Sequence, residues 1–77
     1  MTIEELQSLS PGTKIVYVFG SGEHEQRHRA KVLEHTAGWT GVLVYFTTKP
    51  QAKLRWSTAT NRPIGTKSHT GIVRLEQ

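Results

Sequence analysis

The sequence contains no cysteine, no aspartate and no long apolar run. Without cysteine the chain forms neither disulfides nor thiolate zinc sites, and it lacks the disulfide framework that points to secretion. No apolar stretch approaches the roughly 18 residues that span a membrane, and the acidic N-terminus lacks the apolar core of a secretory signal. We therefore expect a cytoplasmic protein that does not act at membranes.

The length of 77 residues predicts a single domain over residues 1–77, since chains usually have about 100–200 residues per domain. A core of this size is marginal, because a domain of ~60 residues buries only about 60% of the surface that its unfolded chain exposes. Small domains are often stabilised by disulfides or metals. Without them, the remaining routes to stability are an efficient barrel-like core and self-association. A homo-oligomer is therefore one of the alternatives that the sequence leaves open.

Negative charge is absent from most of the second half of the chain. No Asp or Glu lies between Glu34 and Glu76, although the formal net charge of the whole chain is +4. A stretch with Lys and Arg but no carboxylate indicates a face of positive potential, which suits phosphate groups or an acidic protein. A basic excess that serves only solubility is the alternative.

Residues 2–5 (Thr-Ile-Glu-Glu) form a capping-box pattern, which predicts a short helix over residues 3–9 that Pro11 and Gly12 end. β-Branched and aromatic residues predict four strands, at residues 14–19, 42–47, 52–57 and 72–75. Turns are expected between them at residues 38–41, 49–50 and 61–65.

Segment 22–36 fits two structures. Its Glu, Gln, Arg, Ala and Leu residues are good helix formers and Gly38 suits a helix end, which would make the fold α+β. Residues 23–29, however, contain no apolar side chain, so a helix would have nothing to bury in its first two turns. Because residues 29–32 alternate as a strand does, we favour a strand at about 28–35.

Short strands at this spacing predict an all-β barrel. The segments Pro11–Val16, Ala30–Glu34 and Gly41–Phe46 together resemble the repeating pattern of Tudor and other SH3-like barrels. The resemblance implies a small five-stranded SH3-like barrel with a short N-terminal helix. Tudor-type readers of methylated side chains use an aromatic cage with an acidic partner, and this chain has no carboxylate where that partner is expected. The resemblance therefore implies the fold alone.

Residues 24–28 (His-Glu-Gln-Arg-His) match the H-E-x-x-H motif of zinc metalloproteases. That motif works on a helix, where both imidazoles share one face and the Glu acts as general base. A chain with four histidines can match three fixed positions by chance, and a small barrel offers no protease cleft. No G-x-S-x-G elbow, P-loop or dinucleotide-binding motif is present. We expect no metal site, no cofactor and no enzymatic activity.

Strand alternation places one set of side chains inward (Ala30, Val32, Val42, Val44, Phe46, Leu54 and Trp56) and another outward (Arg29, Lys31, Leu43, Tyr45, Lys53 and Arg55). The outward set would surround an exposed tyrosine, Tyr45, with four cations. Such a surface can neutralise phosphates while the ring stacks on a base. The alternative is a surface on which Tyr45 covers apolar area and the Lys and Arg stems lie over it.

Two functions from different classes follow. The first is a non-catalytic module that binds nucleic acid, DNA or RNA, through Arg29, Lys31, Tyr45, Lys53 and Arg55, extended by Arg62 and Lys67. The second is a protein-interaction module, such as an accessory subunit or inhibitor, that docks an acidic partner. Trp39, expected in a glycine-flanked turn, would be an exposed anchor for either partner, because tryptophan is enriched at binding hot spots.

Overall fold

The computed structural model describes residues 1–46, 51–64 and 72–77. They form a nearly closed antiparallel barrel with one short helix, and the elements are α1 (Ile3–Gln7), β1 (Lys14–Phe19), a 3-10 turn (Gly22–His24), β2 (Gln26–Thr36), β3 (Trp39–Tyr45), β4 (Ala52–Ser57), β5 (Arg62–Pro63) and β6 (Val73–Glu76). The strand order is β5-β4-β3-β2-β1-β6. The predicted all-β class with a short N-terminal helix is confirmed.

Helix α1 begins at the predicted capping box. The Thr2 hydroxyl accepts a hydrogen bond from the backbone N–H of Glu5 at 3.2 Å, and the Glu5 carboxylate accepts from the backbone N–H of Thr2 at 3.1 Å. The bond from the backbone N–H of Thr2, with a smaller contribution from hydrogen bonding to the Thr2 side chain, stabilises the charged carboxylate and lowers the pKa of Glu5. Leu6 is buried in the barrel core, with Ile3 and Leu9 packed beside it. The helix ends at Gln7, two residues earlier than predicted.

Strand β2 decides the fold, because it pairs with β1 on one side and with β3 on the other. It covers eleven residues, so the alternative of a helix over residues 22–36 is wrong. The polar residues before Ala30 explain the result. They offer no apolar stripe that a helix could bury, whereas a strand buries the side chains of only one of its two faces. A β-bulge between Val32 and Glu34 shifts the register of the last part of the strand.

The β2–β3 hairpin turns more tightly than predicted. Residues 37–38 form the turn, with Gly38 at a positive φ of 91°, and β3 already begins at Trp39. Trp39 and Thr40 have high β propensity and pair with Thr36 and His35. The expected turn over residues 38–41 is therefore wrong, and Trp39 is a half-buried strand residue. The predicted end of this strand at residue 47 and the turn at residues 49–50 lie outside the described residues.

The inward face predicted from alternation is confirmed. Ala30, Val32, Val42, Val44 and Trp56 are buried, while Phe46 and Leu54 are partly buried and pack against the core. The ring of Trp56 meets that of Tyr17 edge-on, with centroids 6.3 Å apart. Burial raises the pKa of Tyr17 to about 12, because the core disfavours a phenolate.

Strand β5 lies where a turn alone was expected. Arg62 and Pro63 pair with Ser57 and Trp56 at the edge of the sheet. Proline is tolerated there because an edge strand needs no donor on its outer side. Asn61, at a positive φ of 54°, places its side-chain oxygen where it accepts a 2.9 Å hydrogen bond from the Trp56 indole N–H.

Candidate functional site

The outer face of the barrel is organised in rows of residues that lie directly opposite one another on neighbouring strands. From β1 to β4, one row is Lys14, Lys31, Leu43 and Lys53. From β6 to β3, the next row is Glu76, Val16, Arg29 and Tyr45. Neighbouring strands lie about 4.8 Å apart. Three cations on β1 and β2 and one aromatic ring on β3 are therefore brought into one small area.

This area is a shallow groove of about 590 Å³. Its lining includes Lys14, Val16, Arg29, Lys31 and Tyr45, and we call it the basic groove. Lys14 and Arg29 are exposed, whereas Lys31 and Tyr45 are half-buried. The groove thus presents flexible cationic ends beside a ring that its surroundings hold in place.

The three cations of the basic groove have no carboxylate partner in the part of the chain that the structure describes. None of Lys14, Arg29 and Lys31 forms an ion pair within residues 1–46, 51–64 and 72–77. Unpaired cations that share a concave surface add their potentials, so the groove attracts anions. A bound anion would therefore displace no carboxylate partner of these cations among the described residues.

One flank of the groove is an electrically neutral network of Glu25, Arg27, Arg74 and Glu76. Arg27 donates to Glu76 at 2.7 Å, Arg74 donates to Glu76 at 2.9 Å, and Arg74 also donates to Glu25. These bonds lower the pKa of Glu76 and raise that of Arg74. Val18 lies between Arg27 and Arg74 in the register and is fully buried although it is on the outer face. The arginine stems therefore shield an apolar side chain.

The lowered pKa of Glu76 predicts a loss of stability in acid. The stabilisation that the ionised Glu76 carboxylate gives the folded state is fully present above the pKa of this carboxyl in the unfolded chain. It is lost as the pH falls through the lower pKa of Glu76 in the folded state. We expect Glu76→Gln to lower the Tm at pH 7, and the difference from wild type to shrink towards zero as the pH falls well below 4. Thermal melts across this range measure it, and Glu23→Gln is the control, because Glu23 has no ion pair among the described residues. A Tm difference that does not change with pH would contradict the prediction.

The other flank holds the two cations of β4. Lys53 forms a 3.1 Å ion pair with Glu34, whose side chain lies across Gly41. The guanidinium of Arg55 lies over the ring of Trp39, 5.4 Å from its centroid, in a cation–π contact. Lys53 and Arg55 therefore share the outer face with Tyr45, as alternation predicts, but their charges already have internal partners.

The remaining predicted residues lie apart from the groove. Arg62 is exposed on β5, at the far edge of the sheet, and Lys67 lies outside the described residues. Trp39 faces the same side as Tyr45 but stacks with Arg55. Sequence reasoning missed Lys14, although the signal was present: Lys14 alternates with the inward residues Ile15 and Tyr17.

The three histidines that the structure describes, His24, His28 and His35, lie in structural surroundings. His24 lies in the 3-10 turn and His28 in β2, so the helix on which the H-E-x-x-H motif depends does not form. The His28 ring contacts Phe46 at 5.0 Å and Tyr17 at 6.4 Å. His35 joins the helix to the barrel, with hydrogen bonds to the carbonyl of Leu9 and the hydroxyl of Thr40. No cluster of metal-binding side chains occurs in the part of the chain that the structure describes.

Comparison of the chain with protein-family models, with curated proteins and with solved structures finds no match. Within the three described ranges, no helix has the length and hydropathy to cross a bilayer. The chemistry of the basic groove is therefore the feature of this protein that points to a function.

Proposed function

We propose that this protein is a small, non-catalytic module of the SH3-like barrel type that binds nucleic acid through the basic groove. One observation carries the proposal: among the described residues, three cations without a carboxylate partner converge beside a half-buried tyrosine, while on the two flanks only Arg55 keeps a charge that no carboxylate balances. The flanking ion pairs leave the positive potential concentrated at Lys14, Arg29 and Lys31.

The chemistry of the groove suits a phosphate backbone. Lys and Arg that contact phosphates release condensed counterions, and this release supplies most of the sequence-independent affinity for nucleic acid. An aromatic ring adds stacking with any base, because every base has a π face. Among the described lining residues, the amide of Gln77 is exposed rather than fixed in the groove, and no carboxylate side chain is present to read base edges. Binding should therefore depend little on base sequence.

Removing two charges from the groove should weaken binding strongly. We expect Lys14→Gln with Lys31→Gln to reduce affinity for an oligonucleotide at least tenfold at low salt. The slope of log affinity against log salt should become shallower by about 1.4–1.8, since each lost phosphate contact contributes about 0.7–0.9. Fluorescence anisotropy with a labelled oligonucleotide, measured between about 50 and 200 mM salt, gives both quantities.

The matched control is Lys53→Gln with Arg55→Gln. It removes the same charge from the same outer face, but these cations already contact Glu34 and Trp39. We expect its affinity and salt slope to stay close to those of the wild type. Equal effects of the two double variants would place the contact elsewhere on the face. If the wild type binds no oligonucleotide at low salt, the proposal is wrong, and an acidic protein becomes the partner that the cations suit.

A further inference from the structure

We infer that the basic groove takes single-stranded nucleic acid in preference to duplex, with one base stacked on Tyr45 and its neighbouring phosphates on Arg29, Lys31 and Lys14. The inference rests on the proposed function and specifies its ligand. It follows from the size of the groove, the position of the carboxylates around it and the placement of the tyrosine.

The unpaired charge covers a small area. Lys14 and Lys31 are opposite each other on neighbouring strands, and Arg29 is two residues from Lys31 along β2. With about 4.8 Å between strands and about 3.3 Å per residue, the three Cα atoms lie within roughly 10 Å of one another. This area matches a short length of one backbone. Across the major groove of a duplex, about 12 Å wide, the second backbone would fall outside the three cations, so a duplex that presents this groove would contact them with one backbone only.

Carboxylates lie just beyond this area. Glu76 is opposite Val16 in the row that contains Arg29 and Tyr45, and Glu34 follows Lys31 on β2 after the bulge. Each carboxylate is neutralised by its own arginine or lysine partners. The second backbone of a duplex would therefore meet paired carboxylates on both flanks, whereas a single strand can follow the cations alone.

Tyr45 provides a stacking surface that a duplex cannot use. It lies directly opposite Arg29 and lines the groove. Within the described residues, no other aromatic ring packs on it. Bases in a duplex are stacked on their neighbours, and reaching a protein ring requires that they first leave the stack. Bases of a single strand are free to stack on the ring while the adjacent phosphates reach the cations.

The test compares a labelled thymidine oligonucleotide of about ten nucleotides with a hairpin duplex of similar charge, at matched salt. We expect the single strand to bind at least tenfold more tightly, with a salt slope near −2, since three contacts contribute about 0.7 each. Tyr45→Leu should weaken single-strand binding by roughly five- to hundredfold, which corresponds to the loss of one stacked base. Tyr45→Phe, which keeps the ring, should bind nearly as the wild type does, and neither variant should change duplex binding.

The outcomes separate this inference from the proposed function. Equal or tighter duplex binding, or an unchanged affinity of Tyr45→Leu for the single strand, would overturn the inference. In that case, continued sensitivity to Lys14→Gln with Lys31→Gln would leave the proposed function intact. Failure of the wild type to bind either probe would overturn both. Circular dichroism of each variant shows whether a loss of binding reflects a loss of fold.

Discussion

Replacing Trp56 by alanine is expected to lower the free energy of unfolding by about 3–5 kcal/mol. Trp56 is fully buried, packs edge-on against Tyr17 and donates its indole N–H to Asn61. Truncation removes the largest buried side chain and leaves a cavity. It also leaves the side-chain oxygen of Asn61 without its hydrogen-bond donor. A domain of 77 residues has a total stability of about 4–12 kcal/mol, at roughly 0.05–0.15 kcal/mol per residue. The variant should therefore lose between about a quarter and all of that stability.

Trp39→Ala is the matched control for this prediction, because it makes the same change on the neighbouring strand. Trp39 is half-buried on the outer face and contacts Arg55 through a cation–π interaction, worth about 0.5–1 kcal/mol at an exposed site. We expect this variant to retain a cooperative urea transition near that of the wild type. Urea unfolding followed by circular dichroism measures both variants. Similar losses of unfolding free energy in the two variants would contradict the assignment of Trp56 to the core.

Gly20→Ala is expected to give the second largest loss of stability. Gly20 has a positive φ of 84°, and a Cβ atom there would lie 2.8 Å from the backbone carbonyl oxygen of His24. The left-handed conformation costs an L-residue about 1–2 kcal/mol, and displacing packed backbone adds about 1–3 kcal/mol. The backbone N–H of Gly20 also donates to the carbonyl of Ile72 at 2.7 Å, so the displacement would disturb the start of β6.

Gly12→Ala separates these two contributions. Gly12 has a similar φ of 93°, but a Cβ atom there would have no neighbour within 4 Å among the described residues. We expect this variant to lose only the conformational contribution, about 1–2 kcal/mol. The difference between the two variants in urea unfolding then reports the contact with His24. Equal losses would show that the turn relaxes without strain.

Apart from β5 and the first residues of β3, the strands and their faces could be predicted from the sequence because both follow from local pattern. Period-two alternation in residues 52–57 places Leu54 and Trp56 on one side and Lys53 and Arg55 on the other, whatever the neighbouring strands are. The capping box at Thr2 likewise contains all of its partners within four residues. The absence of apolar residues over 23–29 was sufficient to favour a strand over a helix.

Only the tertiary structure determined which charged side chains form ion pairs and which do not. By sequence, the basic excess lies after Glu34, yet the unpaired cations of the groove come from the first half of the chain. The reason is that carboxylates of the first half pair with cations of the second, as Glu25 does with Arg74, 49 residues away, and Glu34 with Lys53. Those pairings depend on strand order and register, which local alternation does not contain. The sequence by itself determined which side of each strand faces water. Only the nearly closed barrel determined which cations of the described residues were left without a carboxylate partner.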